Sequence, residues 1–130
     1  MTAATIYLTL DEVLAIHADQ IERYGGSLGI RDRGGLESAL AMPQAGFGDE
    51  LMHPTLFEQA AAYLFHLCKN HPFVDGNKRV ALAVSLAFLG MNEVEVEATE
   101  DAIVELVLGV ATGAVSKAEA AAFLKRHGAR

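Results

Sequence analysis

Residues 80–89, Val80-Ala81-Leu82-Ala83-Val84-Ser85-Leu86-Ala87-Phe88-Leu89, are apolar on every face of a helix. A surface helix shows one apolar stripe, so a helix that is apolar all round has to lie buried among others. The chain is therefore expected to build its fold around this central segment, with Gly90 as the stop. The nine residues before it are of the opposite kind. His71-Pro72-Phe73-Val74-Asp75-Gly76-Asn77-Lys78-Arg79 places a base, an acid, a flexible turn, an amide and two cations at the N-terminal lip of that helix. A polar cluster so placed reads as an active site.

The chemistry follows from the position. The first turn of a helix carries free backbone N–H groups and the positive end of the dipole, so a phosphate fits there. Gly76 lets the backbone approach closely, and Asn77 can donate through its amide. Lys78 and Arg79 add positive charge, Arg79 with a fork suited to phosphate oxygens. His71, whose ordinary pKa is close to neutral, can accept a proton from a hydroxyl nucleophile. Asp75 is the natural ligand for Mg²⁺, a hard ion usually held by one or two carboxylates plus a nucleotide's own phosphates. These are the parts of a phosphate-transfer site. The plain alternative is a helix cap that happens to contain a histidine and cations.

The nonapeptide resembles the signature of the Fic/Doc family, which runs His-Pro-Phe, two residues, Gly-Asn-Gly-Arg, two residues, Arg. The chain departs from it twice: Lys78 stands at the second glycine of the Fic nucleotidyltransferases, and Leu82 at their second arginine. Lysine at that position resembles the Doc (death-on-curing) branch, the toxins of type II toxin–antitoxin modules. Further likeness lies in Arg23-Tyr24-Gly25-Gly26, Gly29-Ile30-Arg31-Asp32, Leu36-Glu37-Ser38-Ala39-Leu40 and Ala111-Thr112-Gly113. The resemblance implies ATP and Mg²⁺ as cofactors and transfer of the γ-phosphate to a threonine of elongation factor Tu. It also implies restraint by an antitoxin in trans. Many Fic proteins carry an inhibitory helix with Ser or Thr followed four residues later by Glu. Here the nearest candidate, Ser116, is followed at that distance by Ala120.

The bulk properties set the frame. A chain of 130 residues with 52% hydrophobic residues suits one domain, 1–130, with a real core. A net charge of -7 and no lysine/arginine stripe argue against nucleic acid as a direct partner. The single cysteine, Cys68, leaves no disulfide framework. Met1-Thr2-Ala3-Ala4-Thr5 lacks a basic leader region, and no apolar run is long enough to cross a bilayer. The expectation is a soluble cytoplasmic protein without a membrane partner.

Along the chain, Ile6-Tyr7-Leu8 reads as a strand or an anchored lead-in. Thr9-Leu10-Asp11-Glu12 is a capping box that opens a first helix, carried by Leu10, Val13, Leu14, Ile21 and Tyr24 to Gly25-Gly26. His17 lies inside it as a surface or packing residue. Gly25 to Gly35, with five glycines, reads either as a connector with Asp32 capping the next helix or, by the resemblance, as a flap that positions the target peptide. Leu36, Ala39 and Leu40 make a short helix closed by Pro43, and Gln44 to His53 is a connector. His53-Pro54 opens a third helix with Pro54 at its first position and a broad apolar face of Leu56, Phe57, Ala60, Ala61, Leu64, Leu67 and Cys68. Cys68 reads as a buried hydrophobe and His66 as structural. Lys69 is a solvated lysine or one that reaches back to an ATP phosphate.

Val94-Glu95-Val96-Glu97 suits a short edge strand or an extended linker. Thr99 caps a helix with Ile103, Leu106, Val107 and Val110 on one face, ended by Gly113. Ser116-Lys117-Ala118-Glu119 is a second capping box leading to a last helix through Phe123 and Leu124 to Gly128. Lys125, Arg126, His127 and Arg130 suit its C-terminal end. The fold expected is all-α, about six helices with at most marginal β content. An apolar groove for the antitoxin is expected beside the first helix, at Val13, Leu14, Ile16 and Ile21. The function expected is a Doc-type phosphotransferase toxin. Its alternatives are Fic-type protein nucleotidyl transfer and a catalytically silent interaction module.

Overall fold

Five helices begin where a side chain can satisfy their free first-turn amides, at about 1 kcal/mol for each cap. Residues 4–129 are described by this computed structural model. In it Thr9 caps α1 (Leu10–Tyr24), with Glu12 closing the box, and Asp32 caps α2 (Arg33–Ala41) by accepting from Gly35 N. Thr55 caps α3 (Leu56–Asn70), Thr99 caps α5 (Glu100–Thr112), and Ser116 with Glu119 caps α6 (Lys117–His127). The sixth helix, α4 (Asn77–Met91), starts at Gly76 and has no side-chain cap. Two minimal antiparallel pairs complete the described chain: β1 (Gly46–Phe47) with β2 (Glu50–Leu51), and β3 (Glu95–Val96) with β4 (Gly128–Ala129). The all-α expectation with marginal β content holds.

The core is an antiparallel pair, α3 against α4, with α2, α5 and α6 around α3 and with α1 on α4. Tyr63, Leu64, Leu67, Phe73, Val84 and Phe88 are fully buried at its centre. The hub is therefore α3, where the sequence pointed to residues 80–89. In α4 Val80, Ala81, Val84, Ser85, Phe88 and Leu89 are buried, but Leu82, Ala83, Leu86 and Ala87 are only partly covered.

Other expectations need correction. Gly90 lies inside α4 and is exposed; the helix ends at Asn92, whose amide donates to Phe88 O at 2.8 Å and exchanges hydrogen bonds with both backbone groups of Ile6. Those bonds, with Leu8 N donating to the Tyr63 hydroxyl, make residues 6–8 an anchored lead-in and not a strand. Pro54 is not at the first position of α3, because Thr55 takes the cap and accepts from Glu58 N. The segment from Gln44 to His53 is more than a connector, since it folds into the β1–β2 hairpin. Gly34 and Gly35 belong to the first turn of α2. Glu95–Val96 is a strand, paired to the chain's last described residues. The groove expected on α1 is closed: Val13 and Ile21 are buried, and Leu14 and Ile16 pack against the core. Of the basic C-terminal residues, Lys125, Arg126 and His127 occupy the last turn of α6, while Arg130 lies outside the described residues. No helix among the described residues is long and apolar enough to cross a membrane.

Candidate active site

The uncapped helix is the one that carries the polar nonapeptide. Gly76 sits in the left-handed region, φ 77° and ψ 19°, and a Cβ there would come within 3.1 Å of Ile21 Cδ1. Val80 is the first amide bonded back into the helix, to Gly76 O at 2.9 Å. The N–H groups of Asn77, Lys78 and Arg79 consequently have no partner among the described residues. They open onto a cavity of about 340 Å³ whose lining includes His71, Asp75, Gly76, Lys78 and Arg79, together with Cys68, Val74 and Ala111. A larger cavity of about 540 Å³ beside β3 offers Leu86, Val94, Val96 and two glutamates but neither base nor cation, so its volume carries no chemistry.

Each polar residue is held differently. His71 ends α3 in the left-handed conformation, φ 48° and ψ 54°, unusual for a residue with a Cβ. Arg31 clamps this turn, donating from Nε to His71 O at 2.8 Å and from Nη2 to Asn70 O at 3.0 Å, so these two carbonyls at the helix end are satisfied. Asp75 accepts from Gly76 N at 2.8 Å and Ser27 N at 3.3 Å, which fixes its carboxylate at the cavity rim. Lys78 is exposed and has no carboxylate partner, since the ion pairs among the described residues are Arg23–Asp19 and Arg33–Glu37. Arg79 donates to Gly25 O at 3.0 Å and Gln20 O at 3.4 Å, closing the end of α1, with its guanidinium over the Tyr24 ring.

Two residues expected to meet phosphate are engaged elsewhere. The side chain of Asn77 is buried: its Nδ2 donates to Phe73 O and its Oδ1 accepts from Phe73 N, both at 2.9 Å. It staples the loop, and toward an anion Asn77 offers only its backbone N–H. Lys69 places its ammonium over the Phe65 ring, 5.5 Å from the centroid, and does not line the cavity. Cys68 does line it, but burial pushes its thiol up to about 11, so it stays a protonated, unreactive hydrophobe at neutral pH. His66 is turned to Lys117, whose ammonium donates to its Nε2 at 3.1 Å.

The glycine-rich loop bears out its connector reading. Asp32 caps α2, and the residues before it run along the nonapeptide as a rim. Val74 N donates to Gly29 O, Arg31 N and Asp32 N donate to Pro72 O, and Ile30 bridges Phe73. Tyr24, Leu28, Ile30 and Val74 stay exposed along this edge. What sequence reasoning missed is the contribution of α1. His17 is buried, donates from Nε2 to Asp75 O at 2.8 Å and stacks on Phe73 with centroids 3.8 Å apart. The signal was its place four residues from both Val13 and Ile21, on the helix's buried stripe.

A family model described as the Fic/DOC family matches residues 7–89. The chain is similar to "Protein kinase doc" of Escherichia phage P1, 37% identical over 120 residues that cover 92% of this chain and 94% of that protein. It is also similar to "Toxin Doc" of Mycolicibacterium smegmatis, 43% identical over 97 residues, 75% of this chain and 72% of that one. A match over most of both chains, with the nonapeptide inside it, assigns the lineage: the chain belongs to the Fic/DOC family.

Proposed function

We propose that this protein is a Doc-type toxin that transfers the γ-phosphate of ATP to a hydroxyl of a protein target, a threonine of elongation factor Tu, and so arrests translation. The observation that carries the reading is the open N-terminus of α4. Three unpartnered backbone amides and Lys78 surround one small cavity whose lining also includes His71, Asp75 and Arg79. Converging donors of this kind bind phosphate oxygens and stabilise the charge that spreads over them during transfer. His71 takes the proton from the target hydroxyl, the oxygen attacks the γ-phosphorus, and the bond to the bridging oxygen breaks with ADP as leaving group.

Mg²⁺ suits the donor set. Asp75 is the carboxylate that lines the cavity, and no group of three or more metal-ligating side chains lies among the described residues. That fits an ion completed by nucleotide phosphates. Asp75 would hold it, and the ion would neutralise phosphate charge.

Phosphate transfer is favoured over nucleotidyl transfer by Lys78 and by Leu82, which packs against the core where a second cation would stand. The name of the phage relative, a protein kinase, supports the same choice. The exposed apolar edge from Tyr24 to Ile30 suits a docked peptide. Restraint in trans by an antitoxin agrees with Ser116, which is engaged as the cap of α6 with Glu119. The test is incubation with elongation factor Tu and labelled ATP. Label from the γ-position on the target supports the proposal, label from the α-position replaces it with nucleotidyl transfer, and no label leaves a silent binding module.

A further inference from the structure

Asp75 is held through a peptide plane, and the group that holds the plane lies outside the nonapeptide. The Asp75–Gly76 peptide presents its carbonyl oxygen on one edge and the Gly76 N–H on the opposite edge, as any trans planar amide does. The N–H donates to the carboxylate of Asp75 itself at 2.8 Å, and the carbonyl accepts from His17 Nε2, also at 2.8 Å. A rotation of this plane would break both bonds together and leave the carboxylate held by Ser27 N alone. Gly76, at φ 77°, lacks the Cβ that would oppose such a rotation, so the local sequence by itself fixes the plane poorly.

We propose that His17 is the lock on this peptide plane, a positioning residue that sets the carboxylate of Asp75 and the first free amides of α4 for the nucleotide. The proposal rests on the phosphate-transfer reading for its kinetic consequence and on geometry alone for its structural one. His17 is 3% exposed, and its ring lies flat on Phe73, 3.8 Å between centroids at 8°. The stack fixes the imidazole's tilt so that Nε2 points at the carbonyl. Burying an imidazole there without a partner would be costly, which makes the hydrogen bond the reason for a histidine on a stripe otherwise formed by Val13 and Ile21. The same helix meets the nonapeptide once more at its end, where Gln20 and Gly25 carbonyls accept from Arg79.

The test separates ring from hydrogen bond. His17→Phe keeps the stack and loses the donor, whereas His17→Gln keeps a donor near the Nε2 position and loses the ring. His17→Phe is expected to raise the KM for ATP about five- to tenfold, the scale of one lost hydrogen bond, and to speed amide exchange at Gly76 by a similar factor. His17→Gln is expected to stay within about threefold of wild type on both, since its donor replaces the lost one. Mere destabilisation would lower the amount of active protein and leave KM unchanged. Wild-type KM and Gly76 exchange in His17→Phe would overturn the proposal, as would His17→Gln being equally impaired. Nitrogen NMR of the wild-type imidazole decides independently of any variant: a proton on Nε2 is required, and its absence refutes the lock. If wild type transfers no phosphate, the functional reading fails, while exchange at Gly76 and the imidazole tautomer still judge the lock.

Discussion

Replacing Gly26 by alanine should disable the site through one contact. A Cβ at position 26 would lie 2.6 Å from Asp75 Oδ2 and 3.1 Å from Ile21 Cδ1. Ordinary contact begins at 3.4 Å, so the carboxylate has to retreat by about 0.8 Å, which also breaks its bond from Ser27 N. Gly25 next to it supplies the control. At φ 84° and ψ 174° it too occupies glycine-only backbone space, yet its Cβ would meet nothing within 4 Å. Each alanine should destabilise the fold by about 1–3 kcal/mol through backbone strain. A displacement near 1 Å at a catalytic group can cost about a hundredfold in rate, so only Gly26→Ala should lose transfer on that scale. Urea denaturation gives the stability of both variants, and initial rates at saturating ATP give the activity of the folded fraction. Equal residual activity in the two would refute the idea that the position of the Asp75 carboxylate controls the reaction.

His71→Ala should fold and lose about two to four orders of magnitude in transfer rate; unchanged growth arrest from a well-expressed variant would end its role as base. Asp75→Asn should raise the Mg²⁺ concentration needed for activity, and equal rates with a chelator present would remove the metal from the picture. Asn77→Ala should destabilise by about 2–4 kcal/mol, because it leaves Phe73 N–H and C=O buried without partners; a stable variant would contradict the staple. Burial, Lys117, His53 and Lys69 push the His66 imidazole down to about 4. Below the ordinary value of about 6.5 the unfolded chain takes up a proton that the folded one refuses, so stability is lost as pH falls from about 6.5 toward 4. His66→Gln should flatten that part of the profile, as read from urea midpoints at pH 7.5 and 5.

Local signals carried the fold furthest. Thr9 and Ser116 announced their helices because a capping box is a four-residue pattern, and Ala60, Ala61, Leu64 and Leu67 of α3 followed from spacing, whereas the buried Gln59, Ala62 and Tyr63 did not. The misses came from distant partners. Gly90 looked like a stop, but the end of α4 is decided by Asn92 reaching back to Ile6, 86 residues away in sequence. The apolar excess on α1 looked like a groove because the sequence does not say that Val13 and Ile21 are already covered. At the site, His71, Asp75, Lys78 and Arg79 do line one cavity, as their spacing implied. The roles of Asn77 and Arg31 were not legible, since nothing in a polar residue's identity tells whether it faces a ligand or staples its own loop.

The open start of α4 cannot be repaired by ordinary means. A Ser, Thr or Asp cap needs an extended backbone, whereas position 76 is left-handed and crowded by Ile21. Evolution on this scaffold thus cannot trade the site for stability through a single substitution. The amides left free there can be met by an anion, and on the proposed function ATP at a hundred times its dissociation constant would add about 2.7 kcal/mol to stability. On the proposed function, such a protein would persist longest where ATP is plentiful, and depletion of ATP would shorten its life along with its activity.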